Sequence, residues 1–323
     1  MKAPTNENEI IGRIAKVFPD YGSRRMALGL GDDAALWRPR EGYDVVLTCD
    51  WFLEGSHFLR DKHPADAVGW KCLARAVSDI AAMGGMPRCF LLSMALPASL
   101  TGKWLDGFLR GLKRAAAALH CELAGGDTTR HEKVLINVAV VGEVRHGGAL
   151  RRSGARAGDA LYVSGRLGEA DAGLGELLRQ KRVVRVPNEK LRKHLYPEPR
   201  LALGQWLGER QLATAGMDLS DGLSTDLARL CAASEVGARV DVNSLPVVRD
   251  RSLARARQLA LHGGDDYELL FTVAGKDAQR VPRAYDGLRL TRIGEITREK
   301  RIVAVEGGRS RKLKPAGWDP FRK

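Results

Sequence analysis

The feature that most limits what this chain can become is a set of short segments joining glycine to aspartate along nearly its whole length. The first is Gly29-Leu30-Gly31-Asp32-Asp33-Ala34-Ala35. Others follow at Gly126-Asp127, from Asp218 to Asp221, and at Gly264-Asp265-Asp266. Glycine lets the backbone turn tightly and approach a ligand closely. Adjacent aspartates repel each other unless a cation or a hydrogen-bond donor compensates. Carboxylates drawn into one cleft need divalent ions, and hard oxygen donors suit Mg²⁺, which keeps waters and bridges substrate phosphates. An enzyme that handles phosphate through metal ions needs such a set; the competing reading is that two or three of the acids cap helices and turns, Asp221 first among them.

Residue patterns place these acids among alternating strands and helices, an α/β (α+β) organisation. The periodicity predicts a helix over 10–18 and a strand over 45–49 that ends at Asp50, with 51–58 as a loop. A helix is predicted over 65–83, its apolar face formed by Leu73, Ala76, Val77 and Ile80, with Asp79 on the other side. Asp79 then sits at the negative end of a helix dipole, where something positive should compensate. A strand over 88–96, a helix over 102–120, a glycine-rich turn over 123–130 and a strand over 134–144 complete a first domain, 1–147. The second domain, 148–323, opens with a basic loop over 151–159 and a strand over 160–164. A helix over 169–180 follows, and then a connection with a short helix over 181–199. Next comes an amphipathic helix whose start carries Asp218, Ser220 and Asp221, and later a strand over 269–273.

Several function classes recede on composition. No apolar run reaches the roughly 18 residues of a membrane span, and the stretch from Thr5 to Glu9 is too polar for a signal peptide. The expectation is a cytoplasmic protein with no membrane partner. The five cysteines are scattered, without a CxxC pair, which argues against zinc or a disulfide framework. A net charge of +13 invites nucleic acid. However, the basic residues are dispersed, and the patches at 298–301 and 309–314 lack interleaved aromatics for base stacking. Anionic small substrates fit better, with no nucleic-acid partner. Neither a GxxxxGK[ST] loop nor the protein-kinase signature set is present. Ser78 and Ser220 lie beside aspartates without a histidine close in sequence, so no catalytic nucleophile or base is assigned.

Taken in order, these motifs resemble the thiamine-monophosphate kinase family, of the superfamily that includes aminoimidazole ribonucleotide synthetase and selenophosphate synthetase. The resemblance rests on 29–35, Asp50 to Phe58, Ser78 to Gly84, Gly125 to Arg130, Arg152 to Ala155, Asp218 to Leu223, Gly263 to Leu269 and Gly317 to Asp319. It implies a homodimer of two-domain subunits, with an N-terminal mixed sheet that pairs in the dimer and a C-terminal α/β sandwich. It also implies ATP-dependent phosphorylation of thiamine monophosphate to thiamine diphosphate. Asp33, Asp50, Asp79, Asp127, Asp218 and Asp221 would hold Mg²⁺, joined by Thr48 and Cys49. Gly126, Arg152 and Ser220 would contact ATP, and His57, Asp265 and Trp318 the thiamine monophosphate. Asp32 would satisfy backbone amides or bind through water.

Two departures from the family pattern stand out. Cys49 replaces a hydroxyl residue, leaving its backbone carbonyl as the remaining metal donor, and Asp265 replaces a glutamate. The alternatives are another ATP-dependent enzyme of the superfamily or a basic nucleic-acid-binding protein. Selenophosphate synthetase is disfavoured because no cysteine precedes Cys49.

Overall fold

The computed structural model describes residues 6–18, 25–184, 187–250 and 252–321. Thr5 of the polar N-terminal stretch, and Arg185 and Val186 of the predicted connection, lie outside them. The elements, in chain order, begin with α1 (Glu7–Val17), β1 (Met26–Leu28), β2 (Leu36–Trp37), β3 (Tyr43–Leu53), α2 (Ala65–Ala82) and β4 (Met86–Leu96). They continue with α3 (Lys103–Ala118), β5 (Glu122–Arg130), β6 (Leu135–Arg145), β7 (Ala160–Ser164), α4 (Glu169–Arg179), α5 (Glu189–Leu195) and α6 (Leu201–Glu209). The last are β8 (Ala213–Leu219), α7 (Leu223–Ser234), β9 (Gly237–Asp241), α8 (Leu253–His262), β10 (Glu268–Val273), β11 (Ala284–Tyr285), β12 (Leu288–Thr297), β13 (Ile302–Glu306) and β14 (Arg309–Lys312). The chain divides into two compact units. The first holds Met1–Ile80, Met86–Gly147 and Leu177–Pro187; the second holds Ala81–Gly85, Gly148–Glu176 and Asn188–Lys323.

In the first unit, a four-stranded sheet runs β3-β6-β4-β5, antiparallel except for the β4–β5 pair. Helices α2 and α3 bury their apolar stripes, Leu73, Val77 and Ile80 from one and Leu105, Phe108, Leu109 and Leu112 from the other. The two helices touch backbone to backbone: a Cβ on Gly111 would lie 1.8 Å from the Asp66 carbonyl oxygen, so only glycine fits. Strand alternation sends Val45, Leu47, Cys49 and Trp51 to the opposite face of the sheet. Met26 and Trp37 cover part of that face against Cys89 and Ala124. Leu47 (73% exposed), Trp51 (56%) and Leu91 remain open.

The second unit is built on a mixed sheet ordered β14-β13-β9-β12-β7-β10-β8, with β11 paired to β12. Every residue of β7 and β10 is buried, which marks the centre of the sheet. Alternation divides their side chains between two cores. Leu161, Val163 and Leu270 pack with Leu223, Leu227 and Leu230 of α7 and Leu261 of α8. Tyr162, Leu269 and Phe271 pack with Leu203 and Leu207 of α6 on the other side. The result is a sheet covered by helices on both faces, as expected for a C-terminal α/β sandwich.

Four expectations from sequence need correction. Asp50 lies within β3, because strand pairing with β6 continues to Leu53↔Leu135. The glycine-rich 123–130 segment is a strand, held in parallel register by β4. Asp218 belongs to β8 and is buried, whereas α7 starts only at Leu223. Finally, α6 replaces what sequence left without an element.

Candidate active site

In the first unit, strand alternation aims Thr48 and Asp50 at the helix side of the sheet. The Thr48 hydroxyl donates to Asp79 Oδ2 at 2.5 Å, joining mid-β3 to the last turn of α2. One turn earlier on α2, Arg75 places Nε 3.9 Å from Asp50 Oδ2 and its guanidinium over the Phe52 ring. Cys49 faces the other way, where its thiol meets the Asn137 side chain at 3.1–3.3 Å. Its side chain is therefore withdrawn from Thr48 and Asp79, and only main-chain atoms of Cys49 remain on offer there.

Beyond β3 the chain closes a tight turn at Gly55 (φ 89°). The Leu53 N–H donates to His57 Nδ1 at 3.0 Å, and the imidazole stacks on Phe52. Neutral His57 thus carries its proton on Nε2, away from this bond. Gly126 has φ 155°, and a Cβ there would meet the Leu92 carbonyl oxygen at 1.9 Å. The following residue, Asp127, pairs with Ser93 in a row that continues to Asn137 and Trp51 on the open face. Asp32 accepts the Asp33 N–H at 2.8 Å, so one Asp32 oxygen is spent on backbone, and both acids are exposed. Thr48, Asp50 and Asp79 are therefore gathered, whereas Asp127 stands on the other face. Among the described residues, no three His, Cys, Asp or Glu side chains close into a metal-holding group.

In the second unit, three segments meet through main-chain bonds. The Asp265 N–H donates to the Ser220 carbonyl at 2.8 Å, and the Tyr267 N–H to Leu219 at 2.9 Å, extending the β8–β10 ladder into a loop. The Trp318 N–H donates to the Asp221 carbonyl at 2.9 Å. Gly317 permits this approach, since a Cβ would lie 1.8 Å from that same oxygen. Ser220, Asp221, Asp265 and Trp318 thus form one locality, with the Trp318 side chain 47% exposed. Arg152 lies on the loop before β7, and its carbonyl accepts the Ser234 hydroxyl.

Charge around Asp221 is shared. Arg229 Nη1 reaches Asp221 Oδ2, just before α7, at 2.6 Å and Asp226 Oδ1, one turn earlier on α7, at 2.8 Å. Asp226, not Asp221, satisfies backbone here, accepting the Asp221 N–H at 3.0 Å. Burial, with the charge of Asp221 added, pushes the Asp226 carboxyl up to about 6. In the neighbouring motif, Asp266 accepts the N–H groups of Gly168 and Ala170 at the start of α4. Burial drives its carboxyl up to about 8. Glu268 is clasped by Arg200 Nε and Nη2 and by Ser164. Asp266 and Glu268 are spent on these framework partners, while the Asp265 side chain is 28% exposed.

Two family models match the chain: AIR synthase related protein, N-terminal domain, over 31–144, and AIR synthase related protein, C-terminal domain, over 156–306. Fold and site together therefore define a member of that two-domain class. The chain is 37% identical over 319 residues to the thiamine-monophosphate kinase of Escherichia coli K12, covering 95% of this chain and 97% of that protein. The thiamine-monophosphate kinase structure from Stenotrophomonas maltophilia superposes with a TM-score of 0.80, at 37% identity, over 91% of this chain and 95% of that one. AaThiL complexed with AMPPCP and TMP gives a TM-score of 0.77 at 32% identity, over 98% and 99% of the two chains. The chain belongs to the thiamine-monophosphate kinase family.

Proposed function

We propose that this chain transfers the γ-phosphoryl group of ATP to thiamine monophosphate, giving thiamine diphosphate and ADP. The observation that carries this reading is full-length similarity to a structure holding AMPPCP and TMP together. A phosphate oxygen of the acceptor forms the new P–O bond as the bridging bond to ADP breaks. The acceptor is a phosphate monoester whose second pKa is about 6, so it is ionised at neutral pH and needs no protein base. Catalysis then rests on bringing two anions together and neutralising them, and direct in-line transfer belongs to the same reading.

The donor chemistry fits Mg²⁺. Asp50, Asp79 and Thr48 supply carboxylate and hydroxyl oxygens, while the Cys49 thiol points away. No basic residue occupies the last turn of α2, where Asp79 sits, so a cation there offsets an unfavourable dipole. Thr48 gives its proton to Asp79, which keeps its oxygen lone pairs for a metal. Asp33, Thr48, Cys49 (through its carbonyl), Asp50, Asp79, Asp127, Asp218 and Asp221 are the residues that would hold Mg²⁺. When bound, such ions neutralise charge on the reacting phosphates. Gly126, Arg152 and Ser220 bind ATP in this reading, and His57, Asp265 and Trp318 orient thiamine monophosphate. Trp318 stacks on the cationic thiazolium, an attraction of roughly 0.5–2 kcal/mol.

The open face of Val45, Leu47, Trp51 and Leu91 supports a homodimer, since exposed apolar patches of this kind mark interaction surfaces. No helix among the described residues is long and apolar enough to cross a membrane, and phosphorylated, charged substrates are consistent with a cytoplasmic enzyme. The function is tested by following ADP release with thiamine, thiamine monophosphate and thiamine diphosphate as acceptors. Release with thiamine monophosphate alone supports the reading; release that is independent of acceptor overturns it.

A further inference from the structure

Asp265 is held in an unusual way. It and Tyr267 are non-glycine residues with left-handed backbone, φ 68° and 51°, two positions apart. Such backbone is costly for an L-residue and persists where the surroundings enforce it. The enforcement is visible on the main chain, where the N–H groups of both residues bond to the end of β8. The side chain is fixed as well. The buried Tyr267 hydroxyl donates to Asp265 Oδ1 at 2.7 Å, and His194 Nδ1 of α5, also buried, lies 3.8 Å from Oδ2.

Helix α4 packs closely against His194 and against Gly263. A Cβ on Gly173 would lie 3.0 Å from His194 Cβ, and a Cβ on Gly263 would lie 2.8 Å from Asp171 Cβ. The Asp171 carboxyl is pushed up by burial and then by the charge of Asp265, with Arg255 opposing. The locality is thus an anionic one, and Asp265 is its outward member, with its side chain 28% exposed. It also lies next to the segment that carries exposed Trp318. A carboxylate fixed in this way, on a segment bonded to the one that leads to Trp318, selects a ligand end that is cationic or rich in N–H donors.

We infer that Tyr267 and His194 are positioning residues that set the Asp265 carboxylate and thereby the selectivity for the heterocyclic end of the acceptor. Neither touches ATP or the reacting phosphates in this account. The inference rests on the proposed function and adds two residues that act through a third. It explains why a buried tyrosine spends its hydroxyl on a part-exposed carboxylate, and why a buried histidine stands beside the other oxygen.

The test is steady-state kinetics on Tyr267→Phe, His194→Gln and His194→Ala, varying thiamine monophosphate and ATP separately, with melting temperatures alongside. Tyr267→Phe removes a hydrogen bond to a charged group, so KM for thiamine monophosphate should rise roughly tenfold. KM for ATP and kcat should stay within about twofold in the same variant. His194→Ala should raise the same KM, and His194→Gln, which keeps a polar atom near Oδ2, should restore most of it. Equal changes in both KM values, a loss confined to kcat, or an unchanged KM for thiamine monophosphate in folded Tyr267→Phe would each overturn the inference. Should His194→Ala fail to fold, Tyr267→Phe, which loses only a hydroxyl, decides. A wild-type protein without thiamine monophosphate kinase activity overturns the proposed function instead, so the two failures are distinct.

Discussion

The Thr48 hydroxyl lies 2.5 Å from Asp79 Oδ2, across 31 residues of sequence, and donates its proton to that carboxylate. Strand and helix are thereby locked in the arrangement that also brings Arg75 to Asp50. Replacing Thr48 by valine keeps the shape and removes the oxygen. Turnover at limiting Mg²⁺ should fall roughly tenfold and recover in part at high Mg²⁺, because one donor is lost and the carboxylates remain. A Mg²⁺ titration of initial rates reads this directly; an unchanged Mg²⁺ dependence would assign Thr48 a purely structural role.

Asp127 is exposed on the open face of the first sheet and packs against no core. Asp127→Asn should therefore leave the melting temperature within about 2 °C. If the acid neutralises phosphate charge through a metal, turnover should drop by roughly two orders of magnitude. Comparable losses of stability and activity would mark it as a structural acid.

Arg229 holds two acids at once, and one of them, Asp226, is fully buried. Arg229→Ala leaves that carboxyl without its cation, which should cost roughly 1–3 kcal/mol of stability. Chemical denaturation checks the value. Arg229→Lys should recover only part of the loss, because an ammonium cannot reproduce the geometry of a guanidinium. Full recovery would show that charge alone matters.

Asp266 gives the clearest pH signature. Its carboxyl sits at about 8 in the fold against 3.8 when free, so the folded state retains a proton that the unfolded chain has lost. Its contribution to stability is therefore greatest at low pH and declines as pH rises from about 4 to about 8. Asp266→Asn keeps an acceptor for the N–H groups of α4 and cannot ionise. Melting temperatures measured from pH 6 to pH 9 should fall less steeply for the variant than for the wild type. Parallel slopes would contradict the burial of this group.

Much of this architecture could be read from residue order. The helices over 65–82 and 103–118 declared themselves through apolar residues at helical spacing, and their burial follows that spacing. Asp33, Asp127 and Asp221 are visible because a glycine lies close to each, and Asp50 and Asp79 because they fall near the ends of elements. Strand β5 was hidden, since Gly125-Gly126 reads locally as a turn, and only its parallel pairing with β4 makes it a strand. Asp218 was misplaced onto a helix for a related reason: the amphipathic signal of α7 begins close after it, and nothing local shows that β10 pairs with it. Arg200, Arg229 and His194 gave no signal. Each is an ordinary polar residue until folding sets it against Glu268, Asp221 or Asp265. Pairwise electrostatics of this kind depends on tertiary proximity, which periodicity and motif spacing do not encode.

Phosphoryl transfer to thiamine monophosphate is read out by incubating the protein with ATP, Mg²⁺ and thiamine monophosphate and separating the thiamine phosphates chromatographically. Thiamine diphosphate is expected in equal amount to ADP, and none when Mg²⁺ is chelated. Well-folded protein that yields no thiamine diphosphate under these conditions would contradict it.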